Sequence, residues 1–214
     1  MKKNILIITD SYPPEIRSAA QLMKDLANGL NHRGYNIWVA TSYPKYNLVN
    51  TEEFVWPEIK DENGVKVLRI KTLPHHKVNF VIRGLAQLMM PYLFFNKIKK
   101  TIKQKIDIVI VHSPPLPLAI TALKIKNFYK AKYILNLHDI FPQNAIDLGI
   151  LKNKLIIKFF EKMEKKAYQG ADLIVVPSNS HKKFLEEKRN IQLEKIQVIL
   201  HWIDMKSFLQ LKRT

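Results

Sequence analysis

Short apolar runs alternate with longer stretches of helical periodicity along almost the whole of this chain. Runs such as residues 5–8 and 106–111 are typical of strands buried on both faces of a sheet. Their alternation with helices is typical of parallel βαβ units. The sequence therefore predicts an α/β fold, a doubly wound and mostly parallel Rossmann-like sheet of about seven strands. The predicted strands span residues 5–8, 36–41, 65–70, 106–111, 133–137, 173–176 and 196–200.

Helices are predicted between these strands, and several of their ends carry local signals. Gly34 is a candidate C-cap for the first helix, and the hydroxyls at Ser178 and Ser180 suit the start of the last one. Pro91, inside a long helical stretch, is a candidate kink. Residues 43–63 are polar and aromatic without a period, which favours a long loop. The predicted helices span residues 18–32, 79–105, 117–129, 153–168 and 181–189.

Charge and cysteine content limit the classes of function. The 214 residues include 35 Lys and Arg against 18 Asp and Glu, a formal net charge of +17. Such a field attracts nucleic acid, anionic lipid or phosphorylated substrates, although a lysine-rich genome composition explains the same excess. No nucleic-acid motif or aromatic–basic stacking surface accompanies the charge, which disfavours nucleic acid as a partner. The absence of cysteine excludes disulfide and thiolate chemistry.

Motifs for common cofactors are also missing. The sequence has no GxGxxG, no GxxxxGK[ST] and no GxSxG, which disfavours dinucleotide, P-loop and hydrolase functions. His75 and His76 have no metal-ligand spacing to other residues, so no metal is predicted. The first apolar run ends at Asp10, too early for a signal peptide, and no run reaches the roughly 18 residues of a spanning helix. We expect a cytoplasmic protein.

Polar residues that follow the predicted strands lie at the edge of the sheet where doubly wound folds bind ligands. His138 and Asp139 come directly after one strand. A histidine there can donate to a developing oxyanion or take a proton, and a capped turn explains the same pair. Ser178 and Asn179 suit a phosphate or a sugar hydroxyl, although a helix N-cap by itself explains them fully.

The loop after the first strand contains Tyr12, Pro14 and Glu15. Its prolines fix the backbone, and the free N–H groups of the following helix suit an anionic ligand. A rigid connection without a ligand is the alternative interpretation.

The stretch 79–105 has two interpretations. It is apolar nearly all round at its start and carries clustered lysines at its end. Apolar anchors beside lysines are typical of a helix that lies on an anionic membrane, whereas an ordinary core helix with a solvated basic end explains the same pattern. The predicted membrane-contact residues are Phe80, Met89, Phe94, Lys97, Lys99 and Lys100.

Several motifs in this order resemble one known family. They are Tyr12-Pro13-Pro14-Glu15, Asn63-Gly64-Val65-Lys66-Val67, Ser113-Pro114-Pro115, His138-Asp139-Ile140-Phe141-Pro142, Ala171-Asp172-Leu173-Ile174-Val175-Val176-Pro177-Ser178 and Trp202-Ile203-Asp204. Over residues 4–208 the chain resembles the N-terminal domain of bacterial GT-B glycosyltransferases of the retaining, subfamily-4-like group. Within that group it is similar to the fucosamine-transferase-like enzymes of O-antigen and capsule synthesis.

The resemblance implies a function and a set of residues. Residues 1–204 would be the acceptor-side Rossmann-like domain, and residues 205–214 the start of an interdomain linker. No cofactor is expected; the nucleotide-sugar is a donor substrate that the family holds mainly in a C-terminal domain absent from these residues. The predicted catalytic residues are His138 and Asp139. The predicted substrate-binding residues are Tyr12, Pro14, Glu15, Arg17, Ser18, Ser113, Pro114, Ser178, Asn179 and Trp202.

The chain departs from the family pattern in three regions. Arg17 and Ser18 occupy a region where the family usually has glycine, Gln143 replaces an acidic residue, and His201 replaces an asparagine before Trp202. The expected partners are a separate donor-domain polypeptide, a lipid-linked glycan acceptor and the anionic inner face of the cell membrane. A truncated, non-catalytic remnant and a basic membrane- or nucleic-acid-binding module remain alternatives.

Overall fold

The computed structural model describes residues 2–45, 47–48, 56–74 and 77–202. His75, His76, Ile203, Asp204 and the predicted linker 205–214 lie outside the described residues, as does the side chain of Phe80.

The described residues form one sheet of eight strands in the order β3-β4-β2-β1-β5-β6-β7-β8. All neighbouring pairs are parallel except β3 and β4, which are antiparallel. The predicted doubly wound, mostly parallel sheet is therefore confirmed. The strands are β1 (Asn4–Ile8), β2 (Asn36–Ser42), β3 (Ile59–Glu62), β4 (Val65–Ile70), β5 (Ile108–Ser113), β6 (Lys132–Leu137), β7 (Leu173–Val176) and β8 (Ile196–Val198).

Strand β3 lies within residues 43–63, where the sequence favours a loop, and it is the strand that the sequence pattern does not predict. The strand lies at the edge of the sheet and is largely exposed. Its residues can therefore be polar, and the sequence shows no apolar run there. It pairs with β4 through a tight turn in which Asn63 and Gly64 both have positive φ, 56° and 87°. The Gly64 N–H donates to Asp61 Oδ1 at 2.8 Å, and the Asn-Gly pair favours this turn.

Helices cover both faces of the sheet. The five-residue helix α4 (Gln143–Asp147) is too short to show a period, and the sequence does not predict it. The predicted cap at Ser178 is confirmed, since its side chain accepts a hydrogen bond from the His181 N–H. The helices are α1 (Ser18–His32), α2 (Phe80–Thr101), α3 (Leu116–Tyr129), α4 (Gln143–Asp147), α5 (Lys154–Gly170) and α6 (Asn179–Arg189), with a 3₁₀ turn at Leu193–Lys195.

Alternate residues of each central strand enter two separate cores. Ile5 and Ile7 of β1 pack with Met23 of α1, whereas Leu6 and Ile8 pack on the side of α2, α3 and α5. Because both faces are covered, the strand needs an apolar residue at every position. This explains the continuous apolar runs in the sequence.

Helix α2 is a core helix along one face, which corrects one predicted membrane contact. Phe94 is fully buried in the larger core together with Met90 and Ile98, so it offers no surface to a membrane. Met89 lies on the outer face and is 44% exposed. Among the described residues, no helix is long and apolar enough to cross a membrane.

Candidate active site at the carboxyl ends of the strands

The loops after β1 and β5 border a crevice at the carboxyl edge of the sheet. From β1 the chain moves outward to β2 and β4, and then returns to the other side of β1 to form β5. In doubly wound sheets this reversal opens the crevice in which ligands bind. The loops after β6 and β7 and the segment after β8 lie farther along the same edge.

Arg17 lies between two buried carboxylates in the loop after β1. Its Nη1 is 3.7 Å from Asp10 Oδ2 and 3.9 Å from Glu15 Oε2. Asp10 also accepts a hydrogen bond from Ser42 Oγ at 3.0 Å, and Glu15 accepts one from the Lys45 N–H at 3.1 Å. The arginine side chain is 32% exposed, so this pair of buried acids holds one cation at the edge of the crevice.

Other predicted residues of this loop differ in exposure. Tyr12 is 3% exposed and packs in the α1-side core, which leaves it little surface for a substrate. Burial raises the pKa of its hydroxyl far above the ordinary value of 10.0. Pro14 lines a cavity of about 380 Å³ together with Trp56 and Lys60, and Ser18 is exposed at the start of α1.

A chain of three histidines and one asparagine crosses the carboxyl edge from solvent to the interior. His201 Nε2 lies 3.0 Å from His138 Nδ1, and His138 Nε2 lies 3.2 Å from Asn136 Oδ1. Asn136 Nδ2 lies 3.4 Å from His112 Nδ1. The amide oxygen of Asn136 can only accept and its nitrogen only donate. These four residues, defined here as the histidine chain, therefore donate in one direction, from His201 through His138 and Asn136 to His112.

Burial keeps the inner histidines neutral near pH 7. Desolvation, assisted by the neighbouring His138 and Arg17, lowers the pKa of His112 from 6.5 to about 3, although Asp10 opposes the shift. Desolvation, assisted by His201 and His181, lowers the pKa of His138 to about 4. The rings of His138 and His201 are stacked with centroids 4.7 Å apart. At neutral pH the inner histidines, His112 and His138, are therefore hydrogen-bonded but uncharged.

Sequence reasoning chose His138 and missed most of its partners. His112 and Asn136 are register partners on the adjacent strands β5 and β6. Both are polar residues near the carboxyl ends of otherwise apolar strands, and this signal could have selected them. His201, which replaces the family's usual asparagine, closes the chain at its exposed end.

Ser178, Trp202 and Ser113, which are also predicted to bind substrate, have structural contacts of their own. Ser178 Oγ lies 2.8 Å from His181 Nδ1 and caps α6 by accepting from the His181 N–H, and Asn179 is exposed beside it. The Trp202 indole N–H donates to the carbonyl of Leu22 at 3.0 Å and so fixes the segment after β8 against α1. Ser113 is buried.

Asp139 and Pro114 face a second cavity, next to the histidine chain. It has a volume of about 620 Å³ and lies between α2 and α5. We call it the α2–α5 groove. Its lining residues are Arg83, Gly84, Leu85, Gln87, Leu88, Pro114, Pro115, Leu116, Pro117, Asp139, Phe141, Asn144, Leu155, Ile156, Phe159 and Phe160. His138 and Asp139, predicted as one catalytic pair, are thus divided between two neighbouring sites.

No metal site is formed by the histidine chain or elsewhere in the described ranges, which contain no group of three or more His, Asp or Glu side chains arranged to hold a metal ion.

Comparisons with known proteins concern the family and the fold of this chain. The model of glycosyltransferase family 4 matches residues 19–207. A probable glycosyltransferase of Pseudomonas aeruginosa, WbjE, is 28% identical over 116 residues, which cover 54% of this chain and 29% of that protein.

Solved structures share the fold. The catalytic domain of starch synthase IV from Arabidopsis thaliana, bound to ADP and acarbose, has a TM-score of 0.63 at 16% identity; the match covers 97% of this chain and 53% of that chain. An Escherichia coli structure described as trehalose-6-phosphate with bound UDP-2-fluoro glucose has a TM-score of 0.63 at 12% identity, covering 96% and 50%. A glycosyltransferase of Rickettsia africae has a TM-score of 0.53 at 18% identity, covering 100% and 46%. This chain has the fold of one half of a GT-B glycosyltransferase and spans about half the length of these structures.

Proposed function

The chain belongs to glycosyltransferase family 4, and from this premise we propose that it is the acceptor-side half of a retaining glycosyltransferase. The enzyme would move a sugar from a nucleotide-sugar to a lipid-linked glycan in cell-surface polysaccharide synthesis, as in the fucosamine-transferase-like group. One observation carries the proposal: the loop with Arg17 and the histidine chain meet at the carboxyl edge of the sheet, where the strand order reverses.

The side chains at the crevice suit transfer without an enzymic nucleophile. Asp10 and Glu15 are buried against Arg17, so neither carboxylate is presented to a sugar ring. The Arg17 side chain is 32% exposed, and a guanidinium can meet a donor phosphate with charge-assisted hydrogen bonds. In the retaining mechanism implied by the family, the leaving phosphate itself helps to deprotonate the acceptor.

His138 is proposed as the residue that contacts the reacting centre. Neutral at pH 7 and with its Nε2–H donated to Asn136 Oδ1, the ring can accept a hydrogen bond from a sugar hydroxyl at Nδ1 and act as a base towards it. His201 occupies its Nδ1 from the exposed side. A sugar hydroxyl that binds at Nδ1 would therefore take the place of His201.

The donor-side half of the GT-B fold is proposed to hold the nucleotide-sugar. The 214-residue chain is then expected to transfer no sugar by itself. The test combines the purified chain with labelled nucleotide-sugars and a lipid extract containing glycan-linked lipids, with and without a polypeptide carrying a donor half. Transfer is expected only in the combined reaction and should fall at least about 100-fold in His138→Ala, a loss typical of a general acid or base. Robust transfer by the chain alone would refute the assignment as one half of an enzyme.

A peripheral position on the cytoplasmic face of the membrane is the second part of the proposal. Lys99 and Lys100 are exposed near the end of α2, and exposed lysines attract anionic headgroups. Lys97 is less free to do so, because its Nζ lies 2.6 Å from Glu58 Oε2. These contacts single out Lys99 and Lys100 as the members of the predicted basic cluster to test.

Sedimentation with vesicles containing phosphatidylserine measures this association. Lys99→Gln/Lys100→Gln should weaken it, whereas Lys183→Gln/Lys188→Gln on α6 removes the same charge elsewhere and serves as the matched control. Equal losses in the two double variants would show that only net charge matters and would overturn this assignment.

A further inference from the structure

The α2–α5 groove is an apolar cavity with a small polar part. Its walls are aliphatic, aromatic and proline side chains, apart from Arg83, Gln87, Asp139 and Asn144. Its volume of about 620 Å³ lies within the roughly 300–1,000 Å³ of small-molecule sites, which are also mainly apolar with a few polar groups. The cavity therefore has the size and chemistry of a ligand site and is distinct from the crevice beside it.

The apolar walls of the groove are unusually exposed. Leu155 is 78% exposed, Leu85 61% and Phe159 48%. Single exposed apolar residues are ordinary, but a contiguous apolar patch marks a binding surface. The free energy gained by covering it depends on the apolar area removed from water.

Gly84 keeps the groove open at a cost to helix α2. Glycine inside a helix is destabilising relative to alanine. A Cβ atom added at Gly84 would meet no atom within 4 Å, so the packing of this protein does not require glycine there. The position borders the groove, and a larger side chain would enter it. A ligand that fills the groove would explain why this position has glycine, since a larger residue would compete with the ligand for the same space.

The groove reaches the proposed active site. Asp139 directly follows His138 of the histidine chain, and Pro114 directly follows the end of β5; both line the groove. Arg83 places a cation on the α2 wall, and a guanidinium pairs well with phosphate oxygens. A matching occupant is apolar along most of its length, has an anionic group near Arg83 and ends near His138.

We propose that the α2–α5 groove holds the hydrocarbon chain of the acceptor lipid, with the phosphate or diphosphate that links chain and glycan at Arg83. The term acceptor rests on the proposed function, whereas the binding of a phosphate-linked hydrocarbon chain does not. The concave shape favours a single chain over a flat bilayer surface. The cation on the wall favours an anionic lipid over an uncharged apolar segment of a protein.

Calorimetric titration with farnesyl diphosphate, a soluble probe of this chemistry, tests the groove. Inorganic diphosphate is the control for the headgroup alone. Farnesyl diphosphate should bind at least about tenfold more tightly, because every buried methylene adds to affinity, and with a negative heat-capacity change. Equal affinities for the two probes would overturn the proposal, since the site would then recognise only an anion.

Two variants locate the binding. Gly84→Leu fills the groove and favours helix, so it should lower farnesyl diphosphate affinity at least about tenfold without lowering the melting temperature. Arg83→Gln should weaken binding of both probes. Unchanged binding in Gly84→Leu would place the probe elsewhere and overturn the proposal.

The other occupants give different results. If a bilayer covers the groove, the chain sediments with vesicles but does not bind farnesyl diphosphate. If a second copy covers it, the chain elutes as a dimer that Gly84→Leu dissociates. Either result overturns the proposal.

Transfer assays separate this inference from the proposed function. Probe binding that Gly84→Leu abolishes, combined with no transfer in the presence of a donor half, would support the groove and refute the enzyme. Transfer whose KM for the lipid acceptor is the same in Gly84→Leu would support the enzyme and refute the groove.

Discussion

Between pH 7.5 and pH 5.0 this protein should lose about 2 kcal/mol of its free energy of unfolding because of His112. The variant His112→Gln should not show this part of the loss. His112 is 3% exposed and lies at the inner end of the histidine chain. Burial, with help from His138 and Arg17, lowers its pKa from 6.5 to about 3. Unfolding exposes the ring to water and restores the ordinary value.

The sign and size of the effect follow from proton linkage. Because the folded pKa is the lower one, the unfolded chain binds the extra proton, and stability falls as the pH falls below 6.5. The difference between 6.5 and about 3 corresponds to about 5 kcal/mol when both states are titrated. At pH 5.0 the unfolded histidine is largely protonated and the folded one is not, which gives about 2 kcal/mol.

Urea unfolding at the two pH values measures this difference. The cost of the substitution itself is common to both values and cancels. His32→Gln, at an exposed position at the end of α1, is the control for the loss of a histidine. A His112→Gln protein that loses as much stability between pH 7.5 and pH 5.0 as the wild type would refute the reasoning, because His112 would then not be held neutral by burial.

Three further predictions concern packing, capping and a buried ion pair. Phe94→Ala should lower the free energy of unfolding by about 3–5 kcal/mol, because Phe94 is fully buried, whereas Met89→Ala on the exposed face should cost less than about 1 kcal/mol; equal costs in urea unfolding would contradict the assignment of the two faces. Ser178→Ala should cost about 0.5–2 kcal/mol, since Ser178 Oγ caps α6 by accepting from the His181 N–H at 3.3 Å, and an unchanged melting temperature would argue against the cap. Arg189→Met should cost about 3–5 kcal/mol at pH 7 because it leaves the buried Glu164, 2.8 Å from Arg189 Nε, without this partner. Burial already raises the pKa of Glu164 above its ordinary 4.5, and the loss of Arg189 raises it further, so part of this cost should be regained as the pH falls towards 4.5 and the folded variant protonates its carboxyl. A cost independent of pH would contradict the pairing.

Local patterns in the sequence determined most of the secondary structure and the fold class. The apolar residues at positions 5–8 of β1 reflect a strand buried on both faces, and the period of α1 reflects a helix with one face on the sheet. The cap at Ser178 and the turn at Gly64 depend on a few neighbouring residues. Such features are encoded over short distances, where side-chain type and backbone sterics decide the conformation.

The edge strand β3 and the buried face of α2 could be identified only from the tertiary structure. The polar strand β3 pairs only on one side, so its residues need no apolar pattern, and its segment resembles a loop in the sequence. The apolar residues of α2 are nearly continuous, and only the packing of Phe94 against the sheet separates the buried face from the exposed one. The exposed remainder becomes visible as a groove only when α5 is placed beside it.

The sequence by itself located the carboxyl edge of the sheet and selected His138 and Arg17. It did not determine the histidine chain, because Asn136 and His112 are 24 residues apart, and His201 and His138 are 63 residues apart. These pairs meet through the register of β5 with β6 and through the order in which the strands enter the sheet. Strand order and register are set by the long-range packing of whole elements. The chemical type of each residue can therefore be read from the sequence, whereas its hydrogen-bond partners are determined by the tertiary structure.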